Sequence, residues 1–265
     1  MIKRIDTLSY TNAFRSVSPG WKCGFAVLLF ALSSLAHPPV QLLIALWLLV
    51  WVVRYAGISL RHYLLLVGAA GLFFILSLPA LLLEFGPVGS ATPRLFDAEL
   101  FGGYEMFVPS AALERAGTIL TRVLACLSTM LFLILTTPLP ELLQVLKRLR
   151  MPQLVLELML ITYRFLFLLA DIAEDMTTAQ RARGGYAGAG GALRDTARLV
   201  VRLFQKAMQQ SAKLSHGLVA RGFADEIPFA PPRAQPVPRR YLAESAGGLL
   251  VLAGLEFLIR WRDLL

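Results

Sequence analysis

Residues 171–225 read DIAEDMTTAQRARGGYAGAGGALRDTARLVVRLFQKAMQQSAKLSHGLVARGFAD, a polar, basic stretch set between strongly apolar blocks. One tripeptide occurs in it twice: Ala182, Arg183 and Gly184 close one helical run, and Ala220, Arg221 and Gly222 close the next. A glycine-rich link, Gly184 to Gly191, follows the first. A helix C-terminus leaves four carbonyls without intrahelical partners, and a glycine just beyond it can take the left-handed conformation that closes the turn. An arginine there complements the helix dipole and projects five fixed donors past the end, where a carboxylate-lined groove on another protein can accept them. One such ending is an ordinary cap. Two in one membrane-flanked segment point to matched contacts.

The rest of the chain supplies the membrane. Of 265 residues 57% are hydrophobic, more apolar surface than one soluble core of this length needs, so the chain reads as a membrane protein. The formal net charge of +9 is unevenly placed. Between Pro138 and Arg240 there are 15 Lys or Arg against 8 Asp or Glu, a bias that fits an anionic leaflet or an acidic partner better than nucleic acid. Cys23 and Cys126 lie in apolar runs and suggest neither a disulfide nor a metal site, and His37, His62 and His216 fall in separate segments.

Taken in order, Met1 to Gly20 is basic and is expected in the cytoplasm, with the first span acting as the insertion signal. Trp21 to Ala36 and Val40 to Val53 are short apolar runs split by His37, Pro38 and Pro39, which predicts a hairpin of two short spans. Tyr63 to Leu83 is a third span, with Gly68 to Gly71 as a small-residue packing face. Glu84 to Ser110 reads as an external loop, and Ala111 to Thr137 as a fourth span. Within that span, Glu114 and Arg115 belong at the outer interface, while Arg122, two turns deeper, is a structural or functional intramembrane charge expected to face other helices. After Pro138 and Pro140 an amphipathic helix is expected, then a long tilted helix from Pro152 to Arg183. Next comes Leu193 to Ala220 with Leu193, Val200, Phe204, Ala207, Ser211, Leu214 and Leu218 as its apolar stripe. The prolines from Pro228 to Pro238 predict an extended linker, and Tyr241 to Ile259 a last span. The fold class is therefore all-α: about five transmembrane helices plus long amphipathic helices. Residues 1–137 hold spans one to four, 138–240 a cytoplasmic or interfacial coupling domain, and 241–265 the last span.

Catalytic signatures are missing from the sequence. No GxxxxGK[ST] is present, and the glycines of 184–191 lack both the lysine and a preceding strand. There is no Ser/His/Asp set and no CxxC, so a non-catalytic chain is expected.

The basic N-terminus with Tyr10, Thr11 and Asn12, the run Thr136, Thr137, Pro138, Leu139, Pro140 and Glu141, then Thr162, Tyr163, Arg164 and Phe165, and the two Ala-Arg-Gly endings together resemble the T component of energy-coupling-factor transporters. The likeness covers nearly the whole chain and is greatest to the CbiQ type, which serves cobalt or nickel uptake. It implies a multi-pass scaffold in the prokaryotic cytoplasmic membrane, joining two ABC-class ATPases to a small substrate-capturing membrane protein. ATP then belongs to the ATPases and Co2+ or Ni2+ to the capturing partner, with no cofactor or metal site in this chain. Arg183 and Arg221 become the ATPase-coupling contacts, with Gly184 and Gly222 ending the helices and Ala182 and Ala220 keeping the approach close. Two other readings stay open: a self-sufficient permease or channel with Arg122 in its pathway, and a scaffold whose basic stretch binds membrane lipids.

Overall fold

The structure is a computed structural model that describes residues 7, 9, 10, 12–87, 94–100, 104–222 and 237–264. Thr11, most of the residues before it, and the linker prolines Pro228, Pro231, Pro232 and Pro236 lie outside the described residues. The chain divides into two compact units, Met1–Pro138 with Arg233–Leu265, and Leu139–Pro232.

The first unit begins with a short 3-10 turn, Ala13–Ser16, followed by α1, Pro19–Leu35, and α2, Pro38–Val50. Proline occupies the first turn of both helices, where its missing N–H costs nothing. A π-helical turn, Trp51–Tyr55, extends α2 before α3, Leu60–Leu82. Next come β1, Glu84–Pro87, β2, Arg94–Leu100, and β3, Tyr104–Pro109, then α4, Ser110–Thr136. The last helix of this unit is residues Arg239–Leu264, and the second unit contributes three helices between.

Among the described residues four stretches are long and apolar enough to cross a membrane: Pro38–Tyr55, Leu60–Leu82, Ala111–Thr136 and Arg239–Arg262. Pro19–Leu35 is a shorter apolar helix, so the spans fall where hydropathy predicts them, the tight hairpin at His37 included.

Glu84 to Ser110 departs from the external loop expected of it. It forms a three-stranded antiparallel sheet in the order β1-β3-β2, with Phe96 opposite Val108, Ala98 opposite Met106 and Leu100 opposite Tyr104. Phe96, Ala98 and Leu100 alternate with Asp97 and Glu99, the period of two that strands require, and the glycines and prolines between them obscure it. Glu84 in β1 pairs with Arg115 at the start of α4, 3.5 Å apart and largely exposed.

Helix packing also differs in one place. Gly68 and Gly71 of α3 have nothing within 4 Å of a Cβ position, so no described helix of this unit packs closely on those glycines. The close approach occurs instead at Gly248 of the last helix, where a Cβ would overlap the indole of Trp47.

Two interaction sets close the bundle. At the end where α1 begins and α4 finishes, Trp51 is 2% exposed and lies among aromatic rings from four elements. Phe14 stacks on it at 5.9 Å, Phe25 tilts against it at 5.3 Å, and Phe132 and Tyr241 each lie 6.3 Å away. At the opposite end polar side chains satisfy the turn between α1 and α2. Buried Gln41 donates to the carbonyls of Ser33 and Ala36 at 3.1 and 2.8 Å and accepts from Thr121 Oγ1 at 2.8 Å. Glu256 accepts from the backbone N–H of His37 and lies against its ring, each at 2.9 Å. In an apolar medium an unmatched carbonyl has no water to turn to. Gln41→Leu leaves two helix-end carbonyls unmatched, while Thr121 keeps its bond to the Thr118 carbonyl, and lowers stability by about 2–4 kcal/mol. Thermal unfolding in detergent, compared with the wild type, measures it; an unchanged midpoint contradicts this account of the turn.

Candidate functional site: two matched helix ends

The second unit contains α5, Leu139–Arg148, α6, Gln153–Ala182, and α7, Gly188–Ala220; the Arg239–Leu264 helix is α8. Both Ala-Arg-Gly tripeptides are helix ends. Arg183 is the C-cap of α6 (φ −95°, ψ 16°) and Arg221 that of α7 (φ −93°, ψ 7°). Gly184 and Gly222 follow in the left-handed region at φ 77° and 68°, where a side chain is disfavoured. The hydrogen bonds match too: Arg183 N–H reaches the Gln180 carbonyl and Arg221 N–H that of Leu218, both at 3.1 Å. Gly184 and Gly222 donate to Arg181 and Val219 at 3.1 and 3.0 Å. Ala182, Arg183, Gly184, Ala220, Arg221 and Gly222 are all exposed. Among the described residues neither arginine has an ion-pair partner, so both guanidiniums keep their donors for an outside acceptor.

The first end is built into a joint that sequence reasoning did not find. The link is shorter than the glycine pattern suggests, because Gly188, Gly190 and Gly191 already belong to α7. Gly185 N–H closes the turn onto Gln180 at 2.9 Å, and a Cβ there would sit 2.8 Å from that carbonyl. Asp195 of α7 accepts from the backbone N–H of Tyr186 at 2.9 Å, and the Tyr186 hydroxyl donates to Gln180 Oε1 at 2.7 Å. Arg181 lies over the Tyr186 ring at 5.9 Å. These bonds hold Tyr186 at φ 66°, a conformation that costs a non-glycine residue roughly 1–2 kcal/mol. The joint carries no local signature, because its partners lie six to fifteen positions apart across a chain reversal. After Gly222 the described residues stop until 237, so the second end is seen only as its cap.

The joint places Arg183 beside the beginning of α7, whereas Arg221 closes its end. From Asp195 to Arg221 an unbroken helix rises by roughly 40 Å at 1.5 Å per residue. One groove cannot hold both arginines. Leu199, Leu203, Ala207, Leu214 and Leu218 are among the half-buried positions of α7, which packs on α6. The expected stripe is corrected in part: Leu193, Val200 and Phe204 are 60–74% exposed and Ser211 is exposed too, so only Ala207, Leu214 and Leu218 of it lie on the packing face.

Arg122, the other charge singled out in the sequence, is exposed on α4 instead of facing other helices of its unit, and it has no ion-pair partner among the described residues. Among the described residues no three His, Cys, Asp or Glu side chains are grouped to hold a metal ion.

Apolar helices of spanning length, joined to a unit of long helices with matched basic ends, define a predominantly helical multi-pass membrane protein of a transport class. Residues 11–228 match the CbiQ family, described as cobalt transport protein, and the chain belongs to that family. It is 30% identical over 227 residues to the cobalt transport protein CbiQ of Rhodobacter capsulatus, covering 85% of this chain and 86% of that one. The CbiQ of Salmonella typhimurium is also 30% identical, over 80% of this chain and 92% of its own. An uncharacterized protein of Methanocaldococcus jannaschii is 28% identical over 84% of this chain and 81% of its own.

Asp195→Ala removes a charged acceptor worth about 1.5–3 kcal/mol. Hydrogen exchange at the Tyr186 amide should then accelerate by about ten- to a hundredfold, with the cap at Arg221 unaffected. Equal loosening of both ends contradicts the joint described here.

Proposed function

We propose that this chain is the transmembrane coupling subunit of an ATP-driven importer of the energy-coupling-factor type, which passes conformational change from two ABC-class ATPases to a small substrate-capturing membrane partner. The observation that carries it is the pair of exposed, identically capped arginines roughly 40 Å apart along α7, a spacing that suits two ATPase grooves and excludes a single one. Residues 138–240 then form the cytoplasmic or interfacial coupling domain, and the bundle end carrying Arg15, Arg54, Arg61, Arg239 and Arg240 faces the cytoplasm, as positive charge in short segments favours. ATP is bound by the ATPases and not by this chain. Cobalt is the cargo the family favours, with nickel second, and the capturing partner holds it. A protein of Methanocorpusculum labreanum named as a fused cobalt transport protein CbiMQ matches 69% of this chain at 31% identity, over 30% of its own length. Its name describes a Q component joined to another in one polypeptide, which supports a membrane partner here. The exposure of Arg122 counts against a permease pathway through this chain, and matched caps exceed what lipid binding requires, since lipid needs charge but not identical helix ends.

Each charge-assisted contact is worth about 1.5–3 kcal/mol. Replacing both Arg183 and Arg221 by alanine therefore weakens ATPase recruitment on the order of a hundredfold or more and abolishes ATP-dependent cobalt uptake into vesicles. Unchanged recruitment and uptake in the double variant overturn the coupling reading.

A further inference from the structure

Lys22 is a charged side chain in an apolar helix, and it is 0% exposed. Its Nζ donates to the carbonyl of Thr136, the last residue of α4, at 3.0 Å and to that of Phe14 at 3.2 Å. Asn12 Nδ2 donates to the neighbouring Leu135 carbonyl at 2.9 Å and to that of Ser9 at 2.7 Å. The sequence explains why donors must come from outside the helix. Thr136 would normally bond the N–H four residues on, which belongs to Pro140 and is absent, and the counterpart for Leu135 is Leu139, which already begins the next helix. A buried cation is expensive unless matched, and here it faces two carbonyls and the negative end of the α4 dipole.

The 3-10 turn that Lys22 grips also touches the other route out of the bundle. The chain leaves this unit after Pro138 and re-enters it before α8. The Phe14 ring lies 5.2 Å from Tyr241, near the start of α8, and 6.3 Å from Phe132 of α4, and it stacks on Trp51 of the extended α2. The end of α4 and the start of α8 are therefore both held at one node, formed by Asn12, Phe14 and Lys22.

We propose that Lys22, assisted by Asn12, is a positioning residue for transport, anchoring the end of α4 and the start of α8 to α1 so that movement entering along the chain shifts the spans together. The proposal rests on the coupling function above. A neutral apolar cap would also complete a static fold, but charge-assisted hydrogen bonds to two separate backbone carbonyls resist their being drawn apart.

The complex reconstituted in liposomes, with ATP hydrolysis and cobalt uptake measured in the same vesicles, tests it. Lys22→Met keeps the length of the side chain and removes its charge and donors. The ratio of cobalt taken up to ATP hydrolysed should fall about tenfold or more, while the ATPases stay bound and active. Asn12→Ala removes one neutral anchor and should lower the ratio less. Unchanged ratios in both variants overturn the proposal, as does a smaller amount of assembled complex whose ratio is normal, since that marks support of the fold alone. If Lys22→Met fails to accumulate, Asn12→Ala decides, and an unchanged ratio there overturns the anchor. Wild-type vesicles are the separate control: uptake without ATP refutes the coupling function itself, whereas normal coupling in the variants refutes only the anchor.

Discussion

The terminus of α4 is the constraint that shapes the span unit. A helix that ends at Thr136, with Pro138 and Pro140 just beyond it, leaves carbonyls that its own turn does not serve, and the burial of Leu135 and Thr136 keeps water from serving them. Lys22 and Asn12 supply the missing donors, and reaching them requires the N-terminal segment to fold back over the bundle. That return brings Phe14 into the rings around Trp51 and so closes α1, α2, α4 and α8 at one end. The opposite end repeats the solution with an amide and a carboxyl group, Gln41 serving the end of α1 and Glu256 the start of α2. Polar side chains inside the span unit thus match helix termini to one another.

The second unit follows another logic. α7 has 33 residues and none of them is buried, so no packed core fixes its shape. Its backbone hydrogen bonds, its half-buried face on α6 and the joint at Asp195 do so instead. An element of this kind suits transmission of movement along its length, because it stays stiff between two ends that can be held separately. Left-handed Gly184 and Gly222 stop each helix sharply and leave the preceding arginine at its rim, in the same backbone conformation twice over.

Much of this was legible in the sequence, for reasons that differ by element. Spans were readable because hydropathy over some twenty residues is a summed property, and the α1–α2 hairpin because two adjacent prolines permit little else. The matched caps were readable because Arg-Gly after a helical run is a local signature. The sheet between β1 and β3 was not, since its two-residue alternation is short and interrupted by glycine and proline. Lys22 lies one residue inside an apolar run, and nothing beside it in sequence points to its burial; its contact with Thr136, more than a hundred positions away, reveals it. Asp195 and Gln180 were hidden in the same way, as ordinary polar residues whose meaning depends on a reversal in space. Arg122 misled in the other direction, because depth along a helix does not say which face it is on.

The most direct measurement is the native mass of the complex extracted in mild detergent, taken for the wild type and for each arginine replaced singly. Two docking ends predict one copy of this chain with two ATPase subunits, and loss of one of them when either Arg183 or Arg221 becomes alanine. A wild-type mass without ATPases, or two ATPases retained in both single variants, would contradict the account.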